Sequence, residues 1–222
     1  MSESANQPQT GAMECWQKIA RRIRVPLGFL TAALYVFELY QRAPRPAAVA
    51  WSLALVLPGL WLRAYASGYV KKNAELTVTG PYAHTRNPLY LGSMLIAAGF
   101  ALALESWAVA ALLAAGFAII YIPVIAGEER FLRATFPGFG DYCRRVPRIL
   151  PRLRPAPTPS TQVNDKKEVV CMNAPKSAAS GNFSFALYRQ HREYNAAIGA
   201  ALLYLCLVAL RPALAAIFSS AR

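Results

Sequence analysis

Residues 80 to 92 read Gly-Pro-Tyr-Ala-His-Thr-Arg-Asn-Pro-Leu-Tyr-Leu-Gly, and this polar, aromatic stretch separates long apolar runs. Gly80-Pro81 is a turn signal, because glycine reaches backbone angles that other residues avoid and proline fixes φ. Asn87 is biased toward extended geometry by the proline that follows it, so Pro88 is predicted to stand in the first turn of a helix. The unpaired N–H groups of such a helix start suit a small ligand that carries a carboxylate. A membrane-surface linker, anchored at the headgroups by Tyr and Arg, is the alternative.

The composition favours a membrane protein. The chain has 222 residues, of which 55% are hydrophobic and 16% charged, whereas soluble domains contain about 25% charged residues. The formal net charge is +13, but the basic residues lie between apolar runs without zinc-finger spacing or an RNA-binding signature. Nucleic acid is therefore not expected as a partner, and anionic membrane lipids are the simpler counterpart. The four cysteines form no CxxC pair, so neither a disulfide framework nor a metal site is predicted.

The hydropathy pattern predicts an all-α, polytopic membrane protein with about five transmembrane helices. The predicted spans are residues 25–40, 47–62, 89–104, 107–126 and 196–210. Pro58-Gly59 interrupts the second run and predicts a kink or a stretch of cavity-lining backbone. Only Glu105-Ser106 separates the third run from the fourth, so these two form an antiparallel hairpin. The hairpin returns the chain to the membrane face that carries residues 80–92.

These spans divide the chain into four predicted regions. They are a basic N-terminal tail (1–24), the first four helices with the motif region (25–151), a Pro- and Ser-rich linker (152–181), and an interfacial segment with the fifth helix (182–222). Most of the 24 Lys and Arg residues fall on one face of the membrane under this topology. The positive-inside rule then places the N-terminus and residues 80–92 in the cytoplasm.

A pair of glutamates follows the fourth run. Glu128 and Glu129 are predicted to open a short helix, where carboxylates suit the helix dipole, and Pro137-Gly138 is predicted to end it. The hairpin brings this pair to the same face as residues 80–92. A confined carboxylate pair can accept hydrogen bonds from ribose hydroxyls or from an ammonium group. A solvated helix start is the alternative for an isolated Glu-Glu pair.

The order of these elements resembles the isoprenylcysteine carboxyl methyltransferase and phospholipid methyltransferase superfamily. The resemblance rests on Gly80-Pro-Tyr-x-x-x-Arg-Asn-Pro-x-Tyr-x-Gly92, the apolar hairpin, Glu128-Glu-x-x-Leu132, and the tail Phe139-Gly-x-Tyr142-x-x-x-Val146-Pro147-x-x-x-Pro151. It covers residues 76–151, and the first two apolar runs fit the architecture of the family without carrying motifs.

The resemblance implies an integral membrane enzyme that binds S-adenosyl-L-methionine at the cytoplasmic surface and methylates an amphiphilic or lipid-linked acceptor. The residues that it assigns to cofactor binding are Val78, Tyr82, Arg86, Asn87, Pro88, Leu89, Tyr90, Glu128 and Glu129. Tyrosine rings suit adenine stacking, and the start of the third helix suits the cofactor carboxylate. No catalytic residue is assigned, because methyl transfer to a carboxylate or thiolate is an in-line displacement that depends on alignment and on exclusion of water.

Two departures from the family pattern leave the acceptor open. Asn87 stands where many members have histidine, so no proton transfer is implied at this position. The prenylcysteine enzymes place an arginine about one turn before their glutamates, whereas residues 122–125 here are Ile-Pro-Val-Ile. A carboxylate, a thiol and a phospholipid amine all stay open as acceptors. The alternatives to a carboxyl methyltransferase are a phospholipid N-methyltransferase, a sterol-reductase-like enzyme that uses NADPH, and a non-catalytic membrane scaffold. Oligomeric state is also left open.

Overall fold

A computed structural model describes residues 29–41, 44–70, 76–157 and 182–220, with side chains described to residue 209. All of the regular secondary structure in these residues is helical, which confirms the all-α class for them. The predicted N-terminal tail, residues 25–28 of the first predicted span and residues 158–181 of the predicted linker lie outside the described residues.

The helices follow one another in the order that the hydropathy pattern predicts. They are α1 (29–41), α2 (Pro46–Ser67), α3 (Pro88–Leu104), α4 (Trp107–Thr135), α5 (Phe139–Arg145), α6 (Phe185–Gln190) and α7 (Tyr194–Ser220). A short 3-10 turn, Gly80–Ala83, precedes α3. Gly80 has a φ of 59°, the left-handed conformation that favours glycine. Pro88 is the first residue of α3, as the Asn87-Pro88 pair predicts.

α2 and α3 pack at very close range because glycines face each other. A Cβ atom on Gly59 would lie 2.8 Å from the carbonyl oxygen of Gly92, and a Cβ atom on Gly92 would lie 2.7 Å from that of Gly59. Small residues at facing positions let membrane helices approach backbone to backbone. α2 runs through Pro58 without a break. Pro58-Gly59, predicted to form a kink or cavity-lining backbone, therefore lies inside a continuous helix, and Gly59 makes a helix–helix contact.

The short connection between α3 and α4 forms the predicted hairpin. Glu105 turns the chain with a φ of 50°, and the hydroxyl of Ser106 accepts a hydrogen bond from the Val109 N–H at 3.4 Å as the cap of α4. The carboxylate of Glu105 also pairs with Arg45, which stands just before α2. The start of α2 and the turn of the hairpin thus lie at the same end of the molecule.

α4 is longer than the sequence predicts. One helix runs from Trp107 to Thr135 and contains both glutamates, so the prediction that Glu128 opens a separate helix is wrong. The single Gly127 costs only about 1 kcal/mol relative to alanine, too little to end a helix that continues with good helix formers. The predicted end before Pro137-Gly138 is confirmed.

Among the residues that the structure describes, two helices are long and apolar enough to cross a membrane, Pro46–Ser67 and Trp107–Thr135. Only 22% and 17% of their apolar windows are buried inside the protein, so most of their apolar surface faces outward. Pro88–Leu104 and Tyr194–Ala209 are apolar but shorter. Two of the five predicted spans therefore have the length and hydropathy of a crossing helix, and the count of five stays a prediction.

α7 packs against α2 and α3. The ring of Tyr204 lies 5.0 Å from the ring of Phe100 on α3, and its hydroxyl lies 2.7 Å from that of Ser52 on α2. Phe139 and Tyr142 of α5 are buried together with Val146, the residue that follows this helix, in a second hydrophobic core. This second core supports the loop that carries the site.

Candidate functional site

The loop before α3 is held in place by the chain that follows α5. The Arg86 N–H donates to the Pro147 carbonyl at 2.9 Å, and the Ala156 N–H donates to the Ala83 carbonyl at 2.9 Å. Backbone groups in an irregular loop must find such partners if the loop is to be buried. Residues 80–87 are therefore fixed by the tail motif, which explains why the two motifs occur together.

Two side-chain hydrogen bonds strengthen this attachment. The Tyr142 hydroxyl donates to the Tyr82 carbonyl at 2.8 Å, and the Asn87 amide nitrogen donates to the Arg148 carbonyl at 2.9 Å. An amide donates this bond at every pH, whereas a histidine in its place would titrate near neutrality. Asn87 thus has a structural role that needs no proton transfer.

Burial raises the pKa values of two tyrosines of the site, Tyr82 and Tyr142. Burial raises the pKa of Tyr82 above the ordinary tyrosine value, and the nearby carboxylates of Glu128 and Glu193 raise it further. Burial also raises the pKa of Tyr142. Both phenols are therefore neutral hydrogen-bonding groups at neutral pH.

Because these pKa values are raised on folding, the stability that the two phenols contribute is complete below the unfolded-state pKa of about 10 and is lost above it. We expect the free energy of unfolding to fall by up to about 1.4 kcal/mol per pH unit for each tyrosine above that point. Unfolding measured from pH 8 to 11.5 in detergent checks this expectation. The combined Tyr82→Phe and Tyr142→Phe variant should lose the extra slope, whereas Tyr40→Phe, at an exposed position, should keep it. An unchanged slope in the double variant would contradict the assignment.

Glu129 joins three parts of the site. Its carboxylate lies 3.0 Å from Nη1 of Arg86 in the loop, and it accepts hydrogen bonds from Nε and Nη2 of Arg148 in the tail, at 3.0 and 2.5 Å. The side chains of Glu129 and Arg86 are only 15% and 16% exposed. Arg86 also donates to the Cys143 sulfur at 3.0 Å. Glu129 is therefore a largely solvent-shielded anion that ties α4 to the loop and the tail.

Glu128 lies among aromatic rings. Its carboxylate accepts a hydrogen bond from the Tyr90 hydroxyl at 2.8 Å. The Tyr90 ring meets the Tyr121 ring edge to face at 5.2 Å, and Tyr121 stacks on Phe117 at 4.5 Å. A carboxylate beside tyrosine faces is a favourable place for a cationic group.

These groups surround one cavity of about 410 Å³ at the start of α3. The predicted cofactor residues that line it are Tyr82, Arg86, Asn87, Pro88, Leu89, Tyr90, Glu128 and Glu129. Val78 is the exception, since it packs against the buried core of Phe139 and Tyr142. The structure thus brings the aromatic loop and the acidic pair together, as the hairpin predicts.

Several lining residues were missed by the sequence analysis, among them Arg63 on α2 and Tyr121 on α4. Arg63 follows the second apolar run, and the positive-inside argument treats it only as one of the basic residues at the membrane surface. Tyr121 carries a phenolic hydroxyl within an apolar run, and this polar group is the sequence feature that could have indicated its place in the cavity wall.

A larger crevice of about 570 Å³ lies between α3 and α4. It is lined mainly by alanine and larger apolar side chains, with Glu105 as its charged residue. Phe117 lines this crevice and stacks on Tyr121, which lines the polar cavity. The polar cavity is the better candidate for chemistry, because several charged and hydrogen-bonding groups converge on it.

Comparisons with known proteins point to the same family. Residues 49–138 match the family model of phospholipid methyltransferase. The chain is 46% identical over 94 residues to the cobalt-zinc-cadmium resistance protein CzcN of Cupriavidus metallidurans, and 44% identical over 94 residues to the nickel-cobalt-cadmium resistance protein NccN of Alcaligenes xylosoxydans xylosoxydans. Each match covers 42% of this chain and 43% of the relative, so the matched part spans less than half the length of these curated relatives. No solved structure matches the chain.

The family match and the motifs overlap in the same part of the molecule. The matched residues contain α2, the loop, α3 and α4, which supply most of the cavity wall. The apolar, outward-facing helices agree with a protein that resides in a membrane. The match of residues 49–138 to the phospholipid methyltransferase family therefore confirms the resemblance to the superfamily of isoprenylcysteine carboxyl and phospholipid methyltransferases.

Proposed function

We propose that the protein is an integral membrane, S-adenosyl-L-methionine-dependent methyltransferase that acts on an amphiphilic or lipid-linked acceptor, in the manner of an isoprenylcysteine carboxyl methyltransferase. One observation carries the proposal. The aromatic loop and the acidic end of α4, which are far apart in the sequence, line a single cavity at the end of apolar helices.

The cavity has the features that this cofactor needs. Its volume of about 410 Å³ lies within the range of small-molecule sites, roughly 300–1,000 Å³. Tyr82 and Tyr90 offer rings for the adenine, and Glu128 offers a carboxylate for ribose hydroxyls or an ammonium group. The first turn of α3 offers N–H groups to a carboxylate. When bound, S-adenosyl-L-methionine supplies a methyl group on a positively charged sulfur.

The two glutamates have different roles in this proposal. Glu129 is bound by two arginines and holds the loop, the tail and α4 together. Glu128 lines the cavity and accepts a hydrogen bond from the Tyr90 hydroxyl, so we assign ligand contact to it. The protein groups orient the reactants and exclude water, which is the main requirement for in-line displacement.

The hydrocarbon part of the acceptor is proposed to lie along the apolar helices. The crevice between α3 and α4 is open and apolar, and it meets the polar cavity at Phe117 and Tyr121. We propose a multi-pass arrangement with the N-terminus and the cavity on the cytoplasmic side, where the cofactor is made. Membrane lipids are then the immediate surroundings of the acceptor.

A phospholipid N-methyltransferase is the second candidate. The matched family model and the position of Glu128 beside Tyr90 and Tyr121 both favour it, since such a site attracts an ammonium group. The relatives are named for resistance to cobalt, zinc, nickel or cadmium, and we propose that the methylated product is needed during exposure to such metals. A strain that lacks the gene should then grow normally without added metal and poorly with it.

Calorimetric titration of the detergent-purified protein with S-adenosylhomocysteine tests the proposed class. We expect micromolar binding, and we expect no binding of NADPH, which a sterol-reductase-like enzyme would take. A folded protein that binds neither compound would favour the scaffold alternative.

Removing the Tyr90 hydroxyl or the Glu128 charge should weaken cofactor binding. We expect Tyr90→Phe and Glu128→Gln each to reduce the affinity for S-adenosylhomocysteine about tenfold, because each removes a hydrogen bond to or from a charged group. Tyr65→Phe is the matched control, since the Tyr65 hydroxyl contacts only Tyr69 at 3.0 Å among the described residues and does not line the cavity. Unchanged affinity in both site variants would show that the cofactor lies elsewhere.

A further inference from the structure

Arg63 is a charged residue of the cavity wall that the proposed function does not use. Its Nη1 donates to the Leu89 carbonyl at 3.4 Å and to the Ser93 hydroxyl. Its Nε and Nη2 both donate to one oxygen of Glu193, Oε2, at 3.0 and 2.7 Å. A guanidinium has five N–H groups, so one N–H on Nη2 has no partner among the residues that the structure describes.

Gly92 allows Arg63 to reach this position. A Cβ atom on Gly92 would lie 2.6 Å from Cγ of Arg63. The aliphatic part of the Arg63 side chain therefore passes α3 at Gly92, where the helix has no side chain. The last glycine of the loop motif therefore has a specific role. It brings a cation from α2 to the first turn of α3, the part of the cavity wall that suits an anionic group.

Glu193 comes from outside the matched family region. The segment before α7 lies against the end of α2, where the Ser184 N–H donates to the Gly68 carbonyl at 2.9 Å and the His191 ring lies 3.1 Å from the Val70 carbonyl. Arg192 has a φ of 52°, an unusual conformation for this residue, and it directs the chain into Glu193. The Glu193 side chain is 13% exposed, and both of its hydrogen bonds from Arg63 are accepted by Oε2.

The carboxylate that pairs with Arg63 leaves the guanidinium open to a second acid. Glu193 contacts Nε and Nη2 of Arg63 through one oxygen only. The Arg63 side chain is 22% exposed and lines the cavity. Two-oxygen binding of a guanidinium is the stronger geometry, so a carboxylate or phosphate that enters the cavity can offer Arg63 more than Glu193 does.

We propose that Arg63 is an oxyanion-binding residue of the cavity, and that Glu193 occupies it as an internal carboxylate until a ligand carboxylate or phosphate displaces it. The identity of the ligand rests on the proposed function, since the oxyanion is either the carboxylate of the cofactor or the acidic group of a lipid acceptor.

The first test uses inorganic phosphate and does not depend on methyl transfer. Thermal unfolding of the full chain in detergent is followed as phosphate is added at constant ionic strength. We expect Glu193→Gln, which keeps the shape and one acceptor oxygen, to lower the half-saturating phosphate concentration about tenfold, because the competing charge is gone. We expect Arg63→Gln to abolish the response and Arg63→Lys to weaken it. Glu105→Gln, which breaks the exposed pair with Arg45, is the matched control and should behave as the wild type.

The second test identifies the source of the oxyanion. If it is the cofactor carboxylate, Glu193→Gln should tighten binding of S-adenosylhomocysteine but not of 5′-methylthioadenosine, which has no carboxylate. If it is an acidic lipid, the same variant should tighten binding to micelles that contain phosphatidic acid and leave phosphatidylcholine micelles unchanged.

One result would overturn the inference. If Glu193→Gln weakens phosphate binding as much as Arg63→Gln does, or if neither variant changes it, the pair is only a structural tie. A wild-type protein that shows the phosphate response but binds no S-adenosylhomocysteine would remove the proposed function and retain the oxyanion site.

Discussion

Replacing Glu129 with leucine is expected to lower the free energy of unfolding by about 3 kcal/mol or more, because Arg86 stays buried without its counter-charge. The carboxylate also holds Arg148, so the loop and the tail lose their common partner on α4. Unfolding in micelles with a rising fraction of sodium dodecyl sulfate measures the change.

Two comparisons separate burial from charge in this experiment. Arg148→Gln should cost about 1 kcal/mol or less, since the Arg148 side chain is 44% exposed and water replaces much of the interaction. Combining Glu129→Leu with Arg86→Leu should recover part of the loss, because the charge that then stays unpaired, on Arg148, is 44% exposed to solvent. If Glu129→Leu costs no more than Arg148→Gln, the ion pair does not hold the site together.

Replacing Gly92 with alanine is expected to lower the free energy of unfolding by about 1–3 kcal/mol, because the new methyl group would push α2 away from α3. It would lie 2.7 Å from the Gly59 carbonyl oxygen, and backbone cannot move aside as a side chain does. The same substitution should displace Arg63 and weaken the phosphate response. The same detergent unfolding assay measures the first effect.

Gly199 provides the matched control on α7. A Cβ atom there would meet nothing within 4 Å, so Gly199→Ala should raise stability by up to about 1 kcal/mol through helix propensity alone. The two alanine substitutions are therefore expected to change the free energy of unfolding in opposite directions. Equal destabilisation by both would mean that the close approach of α2 and α3 is not the cause of the effect at Gly92.

The elements that could be predicted from the sequence are those fixed by local chemistry. The conformation of Gly80, the helix start at Pro88 and the hairpin at Glu105-Ser106 depend on neighbouring residues only, and the structure confirms all three. The contact between the loop and Glu128 follows from the hairpin of α3 and α4. Because the two helices are antiparallel, the start of α3 and the end of α4 lie close together.

The features that could not be predicted depend on packing between distant segments. The continuity of α4 through Gly127 depends on the residues that follow, whose helix propensity outweighs one glycine. The place of Val78 in the core beneath α5, and that of Arg63 in the cavity wall, depend on partners far away in the sequence. The pairing of Arg63 with Glu193 joins residues 130 positions apart, and no periodic pattern indicates such a contact.

The attachment of the loop to the tail has a consequence for biosynthesis. The hairpin of α3 and α4 is complete when residue 135 leaves the ribosome, but the carbonyl of Pro147 and the N–H of Ala156 emerge only afterwards. At about 5–20 residues per second, the loop therefore waits about one to four seconds for its partners after the hairpin is complete. During that interval the wall of the cavity is unfinished, so the cavity forms only after the tail has emerged.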